Sequence, residues 1–322
     1  MKLTTTRAFV ASALLAMTVL AQAQTWPGQT IKIIVPFTPG TGMDTIARTV
    51  SPKLSERLGQ SVVVQNTPGA SGNIGADNVA KASPDGYTLL MGANTMLMAS
   101  QLYKNVPFNP VNDFSPVSMA AYGTLMLVAN PKMGYKSMQD LVAAAKAKPG
   151  SINYGSPGIG TPHHMAMELF KTRTQLFMLH VPYRGTAGYV QDLLSGEINV
   201  GFLPVHVAQG FVSSGKLTAL AVGGNTRHPV APNVATFAEL GVKDVNVDMW
   251  YAFFAPNKTP APVVNRLNTE IAAIMNLPEI RATLARAGLD AASSSAVELN
   301  TTVKNDYERW GAVIKRNGIT AE

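Results

Sequence analysis

Ile31–Asp44 reads IKIIVPFTPGTGMD, and this stretch decides the fold. An apolar, β-branched run, Ile31–Val35, stops in a turn rich in proline and glycine. Helical spacing follows at once, with Met43, Ile46, Ala47, Val50, Leu54 and Leu58 on one face. Gly59 stands where a left-handed cap ends a helix. A strand that turns tightly into a helix leaves the first backbone N–H groups of that helix unpaired. The helix dipole adds partial positive charge at the same point. Such a junction suits an anion, typically a phosphate or a carboxylate.

The same grammar continues outward. Val62–Val64 reads as a second strand, and Asn66–Gly75 (NTPGASGNIG) as a glycine-rich loop opening a helix through Lys81. Pro84-Asp85-Gly86 is a turn, Thr88–Met91 a third strand, and Gly92-Ala93-Asn94-Thr95 follows it. This β-α-β-α-β order with short connections predicts a parallel sheet covered by helices on both faces. A second block begins with a strand at Thr124–Val128 and a helix at Ser137–Lys148. Asn153–Gly155 then runs into a second glycine-rich turn, Ser156–His164 (SPGIGTPHH). There Thr161 suits a helix N-cap and Pro162 a first helical position.

Further strands are expected at Leu179–Val181, Ile198–Leu203 and Leu217–Val222, with helices from Gly185 to about Leu194 and over Val205–Ser213. A short helix near Phe237–Leu240, a strand at Trp250–Ala255, and helices at Val263–Met275, Pro278–Ala287 and Ala296–Asn317 complete the reading. The economical fold is α/β with two lobes, residues 24–125 and 250–322 forming one and 126–249 the other. Ligands of such sheets sit at the carboxyl ends of the strands, so the cleft between the lobes is the expected site.

Composition narrows the function. The chain has 322 residues and no cysteine, which excludes disulfides, thiolate catalysis and Cys-ligated metal. Lys2 and Arg7 precede an apolar run, Ala8–Leu20, and a small-x-small site, Ala21-Gln22-Ala23, as in a secretory signal. That run is shorter than the roughly 20 residues a membrane span needs. The expectation is export with residues 1–23 removed. Removal of Lys2 and Arg7 takes the formal charge of +7 to +5, since 7 − 2 = 5. The basic residues are spread out, so the field favours anionic ligands and offers no nucleic-acid stripe.

Several motifs fail on inspection. Pro39–Asp44 lacks the third glycine of a dinucleotide fingerprint, and uncharged Asn66 stands near the place of its acidic residue. Gly210–Leu217 imitates a P-loop but ends in leucine where Ser or Thr must reach a metal ion. His164 and Glu168 lie four apart, yet nothing nearby completes a zinc shell. Tyr154 precedes Gly155-Ser156 where a nucleophile elbow needs glycine. Neither an enzyme nor a cofactor or metal is expected. An exported hydrolase or transferase using His163 or His164 as base is the alternative. Arg184 is of interest because arginine grips a carboxylate with two parallel hydrogen bonds.

Taken together, these segments resemble the extracytoplasmic solute receptors of tripartite tricarboxylate transporters, also called Bug proteins. The marks are Ile31–Asp44, Leu54–Asn66 (LSERLGQSVVVQN), Pro68–Ala76 (PGASGNIGA), Ser83–Gly92 (SPDGYTLLMG), Val181–Gly185 (VPYRG), Asp192–Gly196 (DLLSG), Gly215–Val222 (GKLTALAV), Pro232–Gly241 (PNVATFAELG) and Phe253–Leu267 (FFAPNKTPAPVVNRL). The resemblance implies a periplasmic-binding-protein fold, two lobes closing on a small carboxylate, and delivery to membrane subunits or to a sensor; a monomer is expected. It places ligand contacts at Pro36, Phe37, Gly40, Thr41, Gly42 and Asp44, then at Gly92, Asn94 and Thr95. In lobe two it places them at Ser156, Gly158, Gly160, Thr161 and His164, with Tyr183, Arg184 and Gly185 from the next loop. Leu203-Pro204 stands where relatives often carry an acidic residue. An amine-bearing ligand would lose its counter-charge there. The expected ligand is a C4–C6 dicarboxylate or an aromatic carboxylate such as terephthalate, with Leu203, Phe202 and Phe37 against its apolar body.

Overall fold

The computed structural model describes residues 26–245 and 249–320. The expected secretory signal, 1–23, lies outside the described residues. The first sheet contains β1 (Ile31–Val35), β2 (Val62–Asn66), β3 (Thr88–Ala93), β4 (Phe114–Gly123), β10 (Met249–Pro256) and β11 (Leu289–Ala291), in the order β11-β4-β10-β3-β1-β2. The second contains β5 (Leu125–Ala129), β6 (Asn153–Ser156), β7 (Leu179–Pro182), β8 (Val200–Pro204) and β9 (Thr218–Val222), in the order β7-β6-β8-β5-β9. Each sheet anchors one lobe.

β1 pairs in parallel with β2 and β3, while β10 runs antiparallel between β3 and β4. In the second sheet β6, β7 and β8 are parallel and β5 is antiparallel to β8 and β9. The chain changes lobe at Thr124, between β4 and β5. It is back in the first sheet at Met249, which pairs with Gly123. The two crossings are therefore neighbours.

The helices are α1 (Gly42–Leu58), α2 (Asn73–Ala80), α3 (Thr95–Leu102), α4 (Met138–Ala147), α5 (Pro162–Thr174), α6 (Thr186–Ser195), α7 (Val205–Ser213), α8 (Ala261–Met275), α9 (Pro278–Arg286) and α10 (Ala296–Asn317). α1 buries Met43, Ile46, Ala47, Val50, Leu54 and Leu58, and Gly59 closes it at φ 66°, ψ 19°. Ser137 and Asp140 form a reciprocal capping box on α4. Thr161 caps α5, with Pro162 opening the helix.

Three elements go beyond the sequence reading, namely α3, β4 and β11. One is corrected. Residues Phe237–Leu240 are turn, not helix, since the segment makes only single-turn bonds such as Leu240 N–H to Thr236 O. Thr236 instead bridges to Val222 at the edge of the second sheet.

Candidate functional site

Five strand-to-helix junctions meet at one cavity between the lobes: β1 into α1, β3 into α3, β6 into α5, β7 into α6, and β8 into α7. Each contributes its helix N-terminus to the lining. These are Gly42 and Met43 on α1, Thr95 on α3, Thr161–His163 on α5, Thr186 on α6, and Pro204, His206 and Val207 on α7. With the lobes placed as they are, the cavity is tight, with a free volume of about 40 Å³. Among the described residues no Asp, Glu, Lys or Arg lines it. What these residues offer an anion is backbone dipoles and the N–H groups left unpaired at helix N-termini. Phe37, Met249 and Tyr251 add apolar wall.

The first turn is held in shape by Asp44. Its carboxylate accepts from Gly40 N–H at 3.0 Å, Arg48 Nε at 3.0 Å and Asn66 Nδ2 at 2.9 Å. Asn66 also donates to Phe37 O at 3.0 Å. Burial acts to raise the Asp44 pKa, but hydrogen bonds from Arg48, Gly40 and Asn66 outweigh it and hold the group below its ordinary value. Asp44 is thus a brace, and the Gly40 amide is spent on it. Asn66, at the place a nucleotide-binding fold reserves for a ribose-binding acid, belongs to the same brace. Thr41 Oγ1 caps Asp44 N–H, leaving the amides of Gly42 and Met43 at the open end of α1.

The second turn is also internally tied. Gly158 N–H donates to Ser156 Oγ at 3.2 Å, and Thr161 Oγ1 donates to Gly158 O at 2.7 Å. Gly160 N–H donates to His164 Nδ1 at 3.2 Å. The His164 ring turns inward, stacks on His180 at 4.3 Å, and His180 stacks on Tyr154 at 4.7 Å. Ser156 Oγ lies 2.7 Å from His180 Nε2. Ser156 is fully buried, and burial with His164 nearby lowers His180 to about 3. This pair is packing, not an activated hydroxyl.

Three of the expected ligand glycines face the opposite lobe. A Cβ built on Gly160 would lie 2.5 Å from Ala99 Cα, one on Gly158 2.4 Å from Ser71 Oγ, and one on Gly185 2.8 Å from Thr38 Oγ1. A fourth contact pairs Gly288 of the first lobe with His206 of the second, at 2.5 Å from His206 Cβ. All four glycines have positive φ, where a side chain is strained as well as obstructed.

Of the residues expected from sequence, Phe37, Gly40, Thr41, Gly42, Asn94, Thr95 and Thr161 line the cavity. Pro36 and Gly92 line a small neighbouring space behind Phe37. Tyr183, Arg184 and Gly158 line a wider groove that shares Phe37 and Pro157 with the cavity. The Tyr183 hydroxyl donates to Asp192 Oδ2 at 2.6 Å, and burial with that bond pushes it up to about 12. Asp44, Ser156, Gly160, His164, Gly185 and Leu203 are not in the lining. Leu203 is wholly buried in the core beneath β8, and Pro204 takes the wall position.

The reading missed Met43, Ala93, Pro157, Pro162, Thr186, Pro204, His206, Val207, Met249 and Tyr251, and it left open which of His163 and His164 faces the cavity. His206 follows the β8-to-α7 junction, whose strand and helix were both legible but whose turn carries no glycine. His163 sits beside His164, and burial with His206 nearby lowers it to about 3. Burial, with His228 nearby, lowers His206 to about 4. Both nitrogens of His163 and Nδ1 of His206 are buried with no hydrogen-bond partner.

Comparison with known proteins gives a consistent picture. Residues 46–319 match the family described as the tripartite tricarboxylate transporter family receptor. The chain is 34% identical to protein BugT of Bordetella pertussis over 312 residues, 96% of this chain and 95% of that one. A solved R. palustris protein with adipate is 32% identical, covers 92% of this chain and 99% of its own, and superposes with a TM-score of 0.87. The Rhodopseudomonas palustris protein MatC with bound malate is 27% identical, covers 90% and 100%, and gives a TM-score of 0.85.

Proposed function

The chain belongs to the tripartite tricarboxylate transporter receptor family, and from that premise we propose that it captures a small carboxylate between its lobes in the periplasm. The observation that carries this reading is the convergence of five helix N-termini on a cavity with no charged side chain among its described residues. Backbone dipoles bind an anion without a cationic side chain, and so without a fixed salt bridge to break on release. The adipate and malate held by the two similar R. palustris proteins support an acid of this size. Among the described residues the wall holds no acid, and Pro204 stands at the place where an amine-bearing ligand would need one, which supports a ligand without an amine. The family is one of receptors, which sets aside the hydrolase or transferase alternative.

Within this reading the closing lobes divide at Thr124 and just before Met249, close to the bounds of 125 and 250 expected from sequence; residues 1–23 are the export signal, and the monomer delivers its ligand to the membrane subunits of such a transporter. A screen of succinate, adipate, malate, citrate and terephthalate by thermal shift tests it, on protein refolded to remove carried-over ligand. Binding stabilises the folded state by RT ln(1 + [L]/Kd), about 2.7 kcal/mol at a hundredfold excess over Kd. No stabilisation by any acid across this panel sinks the proposal.

A further inference from the structure

We propose that His163 and His206 are the specificity determinants of the cavity, reading a carboxyl group at the second end of the ligand while the helix N-termini of α1 and α3 hold the first. This rests on the carboxylate-receptor reading above.

The argument begins with unmet hydrogen bonds. Buried polar side-chain atoms in folded proteins are nearly always paired. His163 is only 8% exposed, lines the cavity, and has neither ring nitrogen paired. His206 lines the same cavity, and its Nδ1 is also unpaired. The adjacent His164 shows the contrast, since its Nδ1 is satisfied by Gly160 and its ring is stacked away from the cavity. Both cavity histidines come from the second lobe, on the β6-to-α5 and β8-to-α7 junctions. The α1 and α3 junctions belong to the first. A two-ended ligand spanning the cavity would therefore present one end to each lobe.

The chemistry of the occupant follows. Burial keeps both rings neutral at neutral pH, so each offers one N–H and one bare nitrogen. Two neutral N–H donors suit the two oxygens of a carboxylate. A monoacid with a hydrocarbon tail leaves them empty and wets or strands three nitrogens. Gly288 of the first lobe seats directly against His206, so the β8-to-α7 junction that carries this ring touches the first lobe. The preferred ligand is a dicarboxylate over its monocarboxylate counterpart.

The test is a ratio of affinities by calorimetry. Adipate is compared with hexanoate, and terephthalate with 4-methylbenzoate. The wild-type protein should prefer the diacid of at least one pair by tenfold or more. His163→Leu and His206→Leu should each lower that preference at least fivefold, chiefly by weakening the diacid. His163→Gln, which keeps a donor and an acceptor, should restore part of it. Should the leucine variants misfold, ring ¹⁵N shifts of the wild-type histidines serve instead. They should move with the diacid and stay put with the monoacid. Carboxylate binding with an unchanged ratio in the variants, or silent histidine rings in the wild type, overturns the assignment while leaving the receptor reading intact. No acid binding at all overturns both.

Discussion

Gly160 of the second lobe lies against the backbone of Ala99 in the first: a Cβ there would stand 2.5 Å from Ala99 Cα and 2.8 Å from its nitrogen. Neither atom can swing aside as a side chain would. Gly160 is also at φ 73°, a conformation that alanine adopts at a cost. Gly160→Ala should keep its circular dichroism spectrum but fail to close fully. Small-angle scattering should show a larger radius of gyration with saturating ligand than the wild type has. Affinity should fall about tenfold, or about 1.4 kcal/mol. An equally compact, equally tight variant would show that the lobes need not meet at this point.

Gly42 faces the other way, into the cavity. A Cβ on it would stand 2.8 Å from the Tyr251 hydroxyl and 3.0 Å from Cζ. Gly42→Val should weaken binding by roughly tenfold or more through lost space, by the same conversion of affinity to energy. The melting temperature without ligand should hardly change, since the residue opens α1 and its φ is not in the left-handed region. Titration calorimetry alongside a ligand-free melt separates the two effects.

Asp44→Ala should act on the frame. It removes the acceptor of Gly40, Arg48 and Asn66 at once. Leaving such groups unpaired costs about 1–3 kcal/mol, read from urea denaturation. Arg48→Ala should cost less than about 1 kcal/mol, because that side chain is half-exposed. Equal effects of the two would mean that the Gly40 and Asn66 bonds contribute nothing.

Acid should destabilise the fold before the carboxylates titrate. His163 and His180 are lowered to about 3, and His164 and His206 to about 4, in each case chiefly by burial. An unfolded histidine takes its proton near 6.5. Between pH 6.5 and about 4 the unfolded chain therefore binds more protons than the folded one, and stability falls as pH falls. Each group adds a slope of about 1.4 kcal/mol per pH unit within that window. Urea unfolding at pH 7, 6 and 5 measures this. His164→Leu should flatten the curve; a curve that is already flat in the wild type contradicts the burial argument.

The sequence marked the parallel strands and their helices well, because local chemistry punctuates them. Gly59, Ser137, Thr161 and Gly196 each end or begin a helix by a cap that needs no tertiary context. α3 was less visible, since Thr95–Leu102 is apolar nearly all round and Asn94 makes no side-chain cap to it. β4 carries Pro116 and several small residues, and it is a strand only because β10 and β11 flank it. The site divided in the same way. Turns with glycine were noticed, and the glycine-free turn bearing His206 was passed over. His163 and His164 are neighbours in sequence, so nothing local says which ring faces the cavity. Met249 and Tyr251 arrive on a strand from the far end of the chain, for which the early motifs hold no clue.

The cavity's field is assembled from two bodies. α1 and α3 belong to the lobe of the first sheet, and α5, α6 and α7 to that of the second. Swinging the lobes apart about the neighbouring crossings at Gly123 and Met249 disperses that field without altering a single charge. Grip is therefore a property of posture. If the cavity holds the proposed carboxylate, opening the lobes would by itself loosen it, and whatever holds the jaws open would set how long the cargo stays.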